Sequence, residues 1–222
     1  MADSLGQGDA AVRLVRDERG LALVGDGMEL RGDFSRMLPR LRQGRLQQEL
    51  LVKAARIKGA EAPTAVDCTA GLGEDSLLLA AAGFAVTLFE RDQTIAALLA
   101  DALERAAADP RLAEAVGRMT LVAGNSITGL ATLPKPPDVV YLDPMFPART
   151  KSAAVKKKFQ LLHHLEQPCE EEEALVAAAL AAQPRKVVIK RPAKGALLAG
   201  MKPSYSVAGK AVRYDVLVPP RP

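Results

Sequence analysis

The spacing of apolar and polar positions changes character twice along the chain. Between residues 12 and 30, short apolar runs (Val12-Arg13-Leu14-Val15, Leu21-Ala22-Leu23-Val24, Met28-Glu29-Leu30) alternate with Asp17-Glu18-Arg19-Gly20 and Gly25-Asp26-Gly27. Runs this short, split by glycine-bearing turns, predict a small antiparallel β unit. Leu46, Leu50, Ala54 and Ile57 then share one helical face, which predicts a helix over Leu46–Ile57 stopped by Gly59. From Pro63 onward, strand-like and helix-like stretches take turns. The predicted strands are Ala65–Cys68, Phe84–Phe89, Met119–Val122, Asp138–Leu142 and Lys186–Ile189. Helices are predicted at about Gly73–Ala82, Thr94–Ala108, Ser152–Glu166 and Glu170–Ala182, and a closing hairpin over Tyr205–Val218 turns at Gly209-Lys210. Such alternation predicts an α/β, Rossmann-like fold: a mostly parallel sheet with an antiparallel edge hairpin. Residues 1–45 are expected to form the small N-terminal β appendage and a basic linker, and residues 46–222 the α/β domain.

In an open α/β sheet, ligands bind beyond the carboxyl ends of the strands. Those ends present Asp67, Glu90, Asn125 with Ser126, and Asp143. The first strand enters its helix through Asp67-Cys68-Thr69-Ala70-Gly71-Leu72-Gly73-Glu74-Asp75. Gly71 and Gly73 let the backbone turn tightly and approach a ligand, and the helix start offers unpaired N–H groups. Glu90, nineteen residues past Gly71, stands where an acid accepts hydrogen bonds from the ribose of an adenosine cofactor. A nicotinamide cofactor uses the same acid. However, Gly71-x-Gly73-x-x-Ser76 lacks a third glycine, and Glu74 and Asp75 would repel a pyrophosphate. Both features favour S-adenosylmethionine, whose positive charges suit carboxylates.

Asp143-Pro144-Met145-Phe146 follows the fourth predicted strand. An exocyclic amine on a nucleobase is a poor nucleophile because its lone pair is delocalised into the ring. A carboxylate and a backbone carbonyl that accept its N–H bonds localise that pair. Proline fixes the turn that presents the carbonyl, and an aromatic ring stacks on the base. Asp143, Pro144 and Phe146 supply these parts. Arg149, Lys151, Lys156, Lys157 and Lys158 come next. A charge run is ordinarily a solvated face, but this one flanks the expected base pocket and is expected to contact phosphate, as are Lys190 and Arg191 after strand five. Arg36, Arg40, Arg42 and Arg45 crowd the linker, where a solvated connector and a phosphate-contacting segment are equally good readings.

Composition narrows the field. With 222 residues, a net charge of +4, no Trp and five Phe, the chain leans basic but carries no broad stacking platform for single strands. Cys68 and Cys169 form neither a metal spacing nor a disulfide framework, and the adjacent His163 and His164 cannot share a ligand, so no metal is expected. Residues 1–9 are polar, without a leader pattern, and no apolar run approaches the roughly 20 residues of a membrane span. The expected compartment is the cytoplasm.

Five segments carry a resemblance: Asp67–Gly73, Phe89-Glu90-Arg91, Val139–Pro147, Lys151–Lys157 and Val187–Pro192. On these the chain resembles class I S-adenosylmethionine-dependent methyltransferases, and more narrowly the RsmJ family of 16S ribosomal RNA guanine-N2 methyltransferases. The likeness covers roughly residues 45–218. It implies a cofactor pocket built from Glu74, Asp75, Glu90, Arg91, Asn125 and Ser126, with Asp143 touching both cofactor and target amine. It also implies 16S rRNA or the small ribosomal subunit as partner. The broader amino-methyltransferase pattern has Pro-Pro where this chain has Pro144-Met145. From the residues alone, a DNA adenine or protein amide N-methyltransferase uses the same site. A nicotinamide-dependent oxidoreductase and a non-catalytic RNA-binding protein fit less well.

Overall fold

The computed structural model describes residues 12–25, 27–144 and 171–220. Strands β1 (Arg13–Asp17), β2 (Gly20–Gly25) and β3 (Met28–Leu30) form a separate antiparallel sheet in that order, as the short turn-bounded runs predict. The linker carries helix α1 (Leu38–Leu41), then α2 (Leu50–Ala55). The helix expected from Leu46 onward is broken: Leu46–Gln48 make a single 3-10 turn, and Glu49 is extended at ψ 129° before α2 starts. Lys186 closes the far end of α2 by donating to the carbonyls of Ala54 (3.2 Å) and Arg56 (2.7 Å).

The main sheet holds β4 (Thr64–Asp67), β5 (Ala85–Glu90), β6 (Met119–Ala123), β7 (Val139–Leu142), β8 (Lys186–Pro192), β9 (Tyr205–Ala208) and β10 (Val212–Leu217). Its order is β6-β5-β4-β7-β8-β10-β9. The first five of these pair in parallel, and β10 and β9 add antiparallel at the edge. Helices α3 (Glu74–Ala81), α4 (Gln93–Ala107), α5 (Ala113–Val116), α6 (Ser126–Leu130) and α7 (Glu172–Ala181) cover it. Successive strand residues face opposite layers. Ala65, Val139 and Tyr141 join Leu77, Leu78 and Leu99 on one side, while Val66, Val140 and Leu142 join Leu175, Val176 and Ala179 of α7 on the other. Burial on both faces explains why β7 reads as four consecutive buried residues.

Helix α4 begins where its sequence signal lies, with Asp92 accepting from the N–H groups of Thr94 (2.8 Å) and Ile95 (2.9 Å). Its outer side receives the N-terminal sheet: Leu23 and Leu30 pack on Leu98, and Asp101 holds both Arg16 and Arg105 at 2.8 Å. The chain runs from β4 through β5 to β6 on one side, then returns to place β7 on the other side of β4. That reversal opens a crevice beyond the carboxyl ends of the strands, where the candidate site lies.

Candidate active site

The loop after β4 is braced from behind by Asp67. One carboxylate oxygen accepts the Thr69 N–H (3.0 Å) and the other the Ser76 hydroxyl (2.6 Å). Asp67 is only 1% exposed, and burial lifts its carboxyl to about 7 against the pull of those two hydrogen bonds. These bonds make Asp67 a brace of the loop. Gly71 and Gly73 both adopt left-handed backbone, at φ 53° and 77°. A Cβ on Gly73 would lie 2.7 Å from Leu99 Cδ1 and 3.2 Å from Phe34 Cζ, so packing as well as φ demands glycine there. A Cβ on Gly71 would meet no atom of the described residues within 4 Å, so among these the space its missing side chain leaves is open.

Glu90 ties the end of β5 to this loop. Its oxygens accept the N–H groups of Gly71 and Asp92, each at 2.9 Å, and the Arg91 N–H adds to the stabilisation of the charged form. Glu90 is buried, which raises its carboxyl above the usual range. Arg91 is exposed and lies 3.9 Å from Glu171. Asn125 caps α6 by accepting the Ile127 N–H at 2.8 Å, and the buried Ser126 sits against the buried thiol of Cys68. Glu74 and Asp75 fill the first turn of α3.

Beside this cradle lies a charged cluster. The Lys190 ammonium donates to Asp75 Oδ2 (2.7 Å) and to Asp143 Oδ2 (2.8 Å), and the Tyr141 hydroxyl donates to Asp75 Oδ2 (2.6 Å). The Asp143 N–H donates to Thr69 Oγ1 at 2.7 Å, linking the end of β7 to the glycine loop. Burial alone would pull Lys190 down, but Asp75 and Asp143 outweigh it and hold the ammonium well above its usual range. Burial lifts the Asp143 carboxyl, Lys190 opposes that, and Asp75 adds to it. Pro144 follows as a buried residue.

The structure thus brings Gly71, Gly73, Glu74, Asp75, Glu90, Asn125, Ser126, Asp143 and Pro144 to the carboxyl ends of the strands. Lys190 and Arg191 depart from expectation. Lys190 turns inward to the two carboxylates, and Arg191 is 4% exposed with its Nε donating to the Ala196 carbonyl, so neither forms an outward phosphate-facing rim. Tyr141 and Thr69 are the site residues that pattern reading missed, along with the inward pairing of Lys190. The parallel register of Leu142 beside Ile189 was the available signal, because it makes Asp143 and Lys190 neighbours. Phe146, Arg149, Lys151, Lys156, Lys157, Lys158, His163, His164, Cys169 and the helix expected at 152–166 lie outside the described residues.

A backbone cradle with an open Gly71 position, a buried acid at a strand end, and two acids at a helix start fit an adenosine cofactor that carries positive charge and no phosphate. Among the described residues no cluster of three or more His, Cys, Asp or Glu side chains is placed to hold a metal, and no helix is long and apolar enough to cross a membrane.

Comparison with known proteins agrees with this chemistry. The family model of SAM-dependent methyltransferases matches residues 7–219. The chain is 46% identical over 214 residues to the ribosomal RNA small subunit methyltransferase J of Thioalkalivibrio sulfidiphilus, covering 92% of this chain and 84% of that protein. It is 40% identical over 206 residues to the protein of the same name from Neisseria meningitidis, covering 91% and 82%. The crystal structure of the SAM-dependent methyltransferase NGO1261 from Neisseria gonorrhoeae superposes with a TM-score of 0.78 at 32% identity, covering 96% of this chain and 85% of that one. The chain belongs to the S-adenosylmethionine-dependent methyltransferase family whose members include the ribosomal RNA small subunit methyltransferase J proteins.

Proposed function

We propose that this protein methylates the exocyclic N2 amine of a guanine in the 16S RNA of the small ribosomal subunit. The observation that carries the reading is Asp143. Its Oδ2 is held by Lys190, its backbone by Thr69, and its Oδ1 has no hydrogen-bond partner among the described residues, beside the Gly71–Glu90 cradle. The cofactor, when bound, supplies a methyl group already activated on a sulfonium. Glu90 would accept hydrogen bonds from the ribose hydroxyls, and the acidic first turn of α3, Glu74 with Asp75, would suit the cofactor's positive charge. Asp143 Oδ1 and the Pro144 carbonyl accept the two N–H bonds of the target amine, which localises its lone pair and aims it. Positioning supplies most of the acceleration. As the N–C bond forms, the nitrogen gives up one proton to Asp143, which passes it to solvent.

Arg42 and Arg45 extend this reading to the RNA. Arg36 pairs with Asp33 at 3.2 Å and Arg40 with Glu49 at 2.7 Å, whereas Arg42 and Arg45 are exposed with no ion pair among the described residues. They lie on the linker that leads to α2, whose first residue, Leu50, sits against Gly209 at the turn between β9 and β10. That turn belongs to the same end of the sheet as Lys190, because β10 begins opposite Pro192. These two arginines are therefore suited to phosphates flanking the target base.

The test is transfer of labelled methyl from S-adenosylmethionine to small subunits lacking the modification, followed by nucleoside analysis. N2-methylguanosine is the expected product. Label on adenosine, or none on RNA from a protein that binds S-adenosylhomocysteine, would overturn the substrate assignment.

A further inference from the structure

Lys190 joins carboxylates that belong to different elements, Asp75 in α3 and Asp143 after β7, at 2.7 and 2.8 Å. The three side chains are 25%, 17% and 34% exposed, so the trio is largely shielded yet open on the Asp143 side. Without the ammonium, two carboxylates would face each other across a poorly solvated gap, and like charges so placed force one of them to keep a proton. A protonated Asp143 offers a donor where the target amine needs an acceptor. We propose that Lys190 is a positioning residue for methyl transfer: it pins Asp143 Oδ2, leaves Oδ1 for the amine, and keeps that carboxylate ionised. The inference rests on Asp143 being the amine acceptor.

The charged groups around the trio, among the described residues, are few. Asp143 faces Lys190 and Arg191 as cations and Asp75 and Asp67 as anions. Tyr214 of β10 lies near all three, Arg40 of the linker lies near Asp75, and the Tyr141 hydroxyl is already committed to Asp75. Burial pushes Asp143 up, and Lys190 is the strongest influence against it, ahead of Arg191. Removal of Lys190 therefore takes away the strongest of the influences that oppose burial and Asp75, and leaves the weaker one of Arg191.

Two readouts test this, one of them independent of catalysis. Carboxyl-carbon NMR, with the Asp143 signal assigned by its loss in Asp143→Asn, follows its titration in the free protein. The pH profile of single-turnover transfer to small-subunit RNA follows its consequence. In Lys190→Met the Asp143 titration should move upward by about one unit or more. The acid limb of the rate profile should move with it, and Lys190→Arg should hold both near wild type. A lysine that only ties α3 to β8 would lower stability and leave the acid limb of the rate profile where it was, and an unmoved titration or an unmoved acid limb in Lys190→Met overturns the proposal. Should that variant not fold, Asp75→Asn decides: removal of the competing charge must move the Asp143 titration downward, and no movement refutes the coupling. A shifted titration from a protein that leaves RNA unlabelled would support the Lys190–Asp143 coupling and overturn the substrate reading instead.

Discussion

Asp67 and Glu90 are both buried acids at strand ends, and their partners give them different work. Both Asp67 oxygens are taken by Thr69 and Ser76 within its own loop and helix, whereas Glu90 holds the backbone N–H groups of Gly71 and Asp92 and so ties β5 to the glycine loop. With its carboxyl lifted from 3.8 to about 7, Asp67 binds a proton in the folded state that the unfolded chain releases across that interval. This group therefore adds stability as pH falls from 7 toward 4 and withdraws it as pH rises toward 7, by at most about 1.4 kcal/mol per pH unit. Urea unfolding at pH 5 and pH 8 should show wild type losing more stability over that range than Asp67→Asn; equal losses would contradict the role of burial. Glu90→Ala removes a charged acceptor for two hydroxyls, each such bond being worth about 1.5–3 kcal/mol. Calorimetry should find S-adenosylhomocysteine affinity lowered by about 100-fold or more, and an unchanged affinity would displace Glu90 from the pocket.

At the scale of elements, the turn between β4 and α3 separates packing from binding. Gly73→Ala would press a methyl on Leu99, and Gly71→Ala would project one into open space. Both carry the left-handed strain of about 1–2 kcal/mol. Thermal unfolding should therefore show the larger loss for Gly73→Ala, and cofactor titration the larger loss for Gly71→Ala; the reverse order would mean that the open space is not the binding cradle. The strands were legible in the sequence because their apolar runs end at glycines or acids, and α4 was legible because Asp92 precedes a clean apolar stripe. Other features were not. The break at Glu49 depends on its pairing with Arg40, and nothing in the local pattern marks it. Lys190 and Arg191 read alike as basic residues at a strand end, but adjacent strand residues point to opposite faces. One enters the charged cluster and the other is buried against the Ala196 carbonyl. Partners from distant segments decided these cases, and such pairing becomes visible only once strand register is known.

For the molecule as a whole, the division of its cations matters more than the net charge of +4. Arg16 fastens the N-terminal sheet to α4, Arg105 pairs with Asp101 within α4, Arg40 is paired, Lys190 is internal, and Arg42 and Arg45 remain exposed. Replacing Arg42 and Arg45 together with Gln should weaken RNA binding and flatten the slope of log affinity against log salt by about 0.7–0.9 per lost phosphate contact. S-adenosylhomocysteine affinity should not change; an unaltered salt slope would remove the linker from the RNA interface. The central claim, that acids at the ends of β5 and β7, on either side of β4, hold the cofactor and aim the amine, is tested most directly with Asp143→Ala. Single-turnover methyl transfer to small subunits would be measured beside calorimetric binding of S-adenosylhomocysteine. Transfer at saturating cofactor should fall by about 100-fold or more, as expected when a positioning acceptor is lost, while the protein still binds S-adenosylhomocysteine. Transfer at the wild-type rate would contradict the assignment of Asp143 and, with it, the reading of the site.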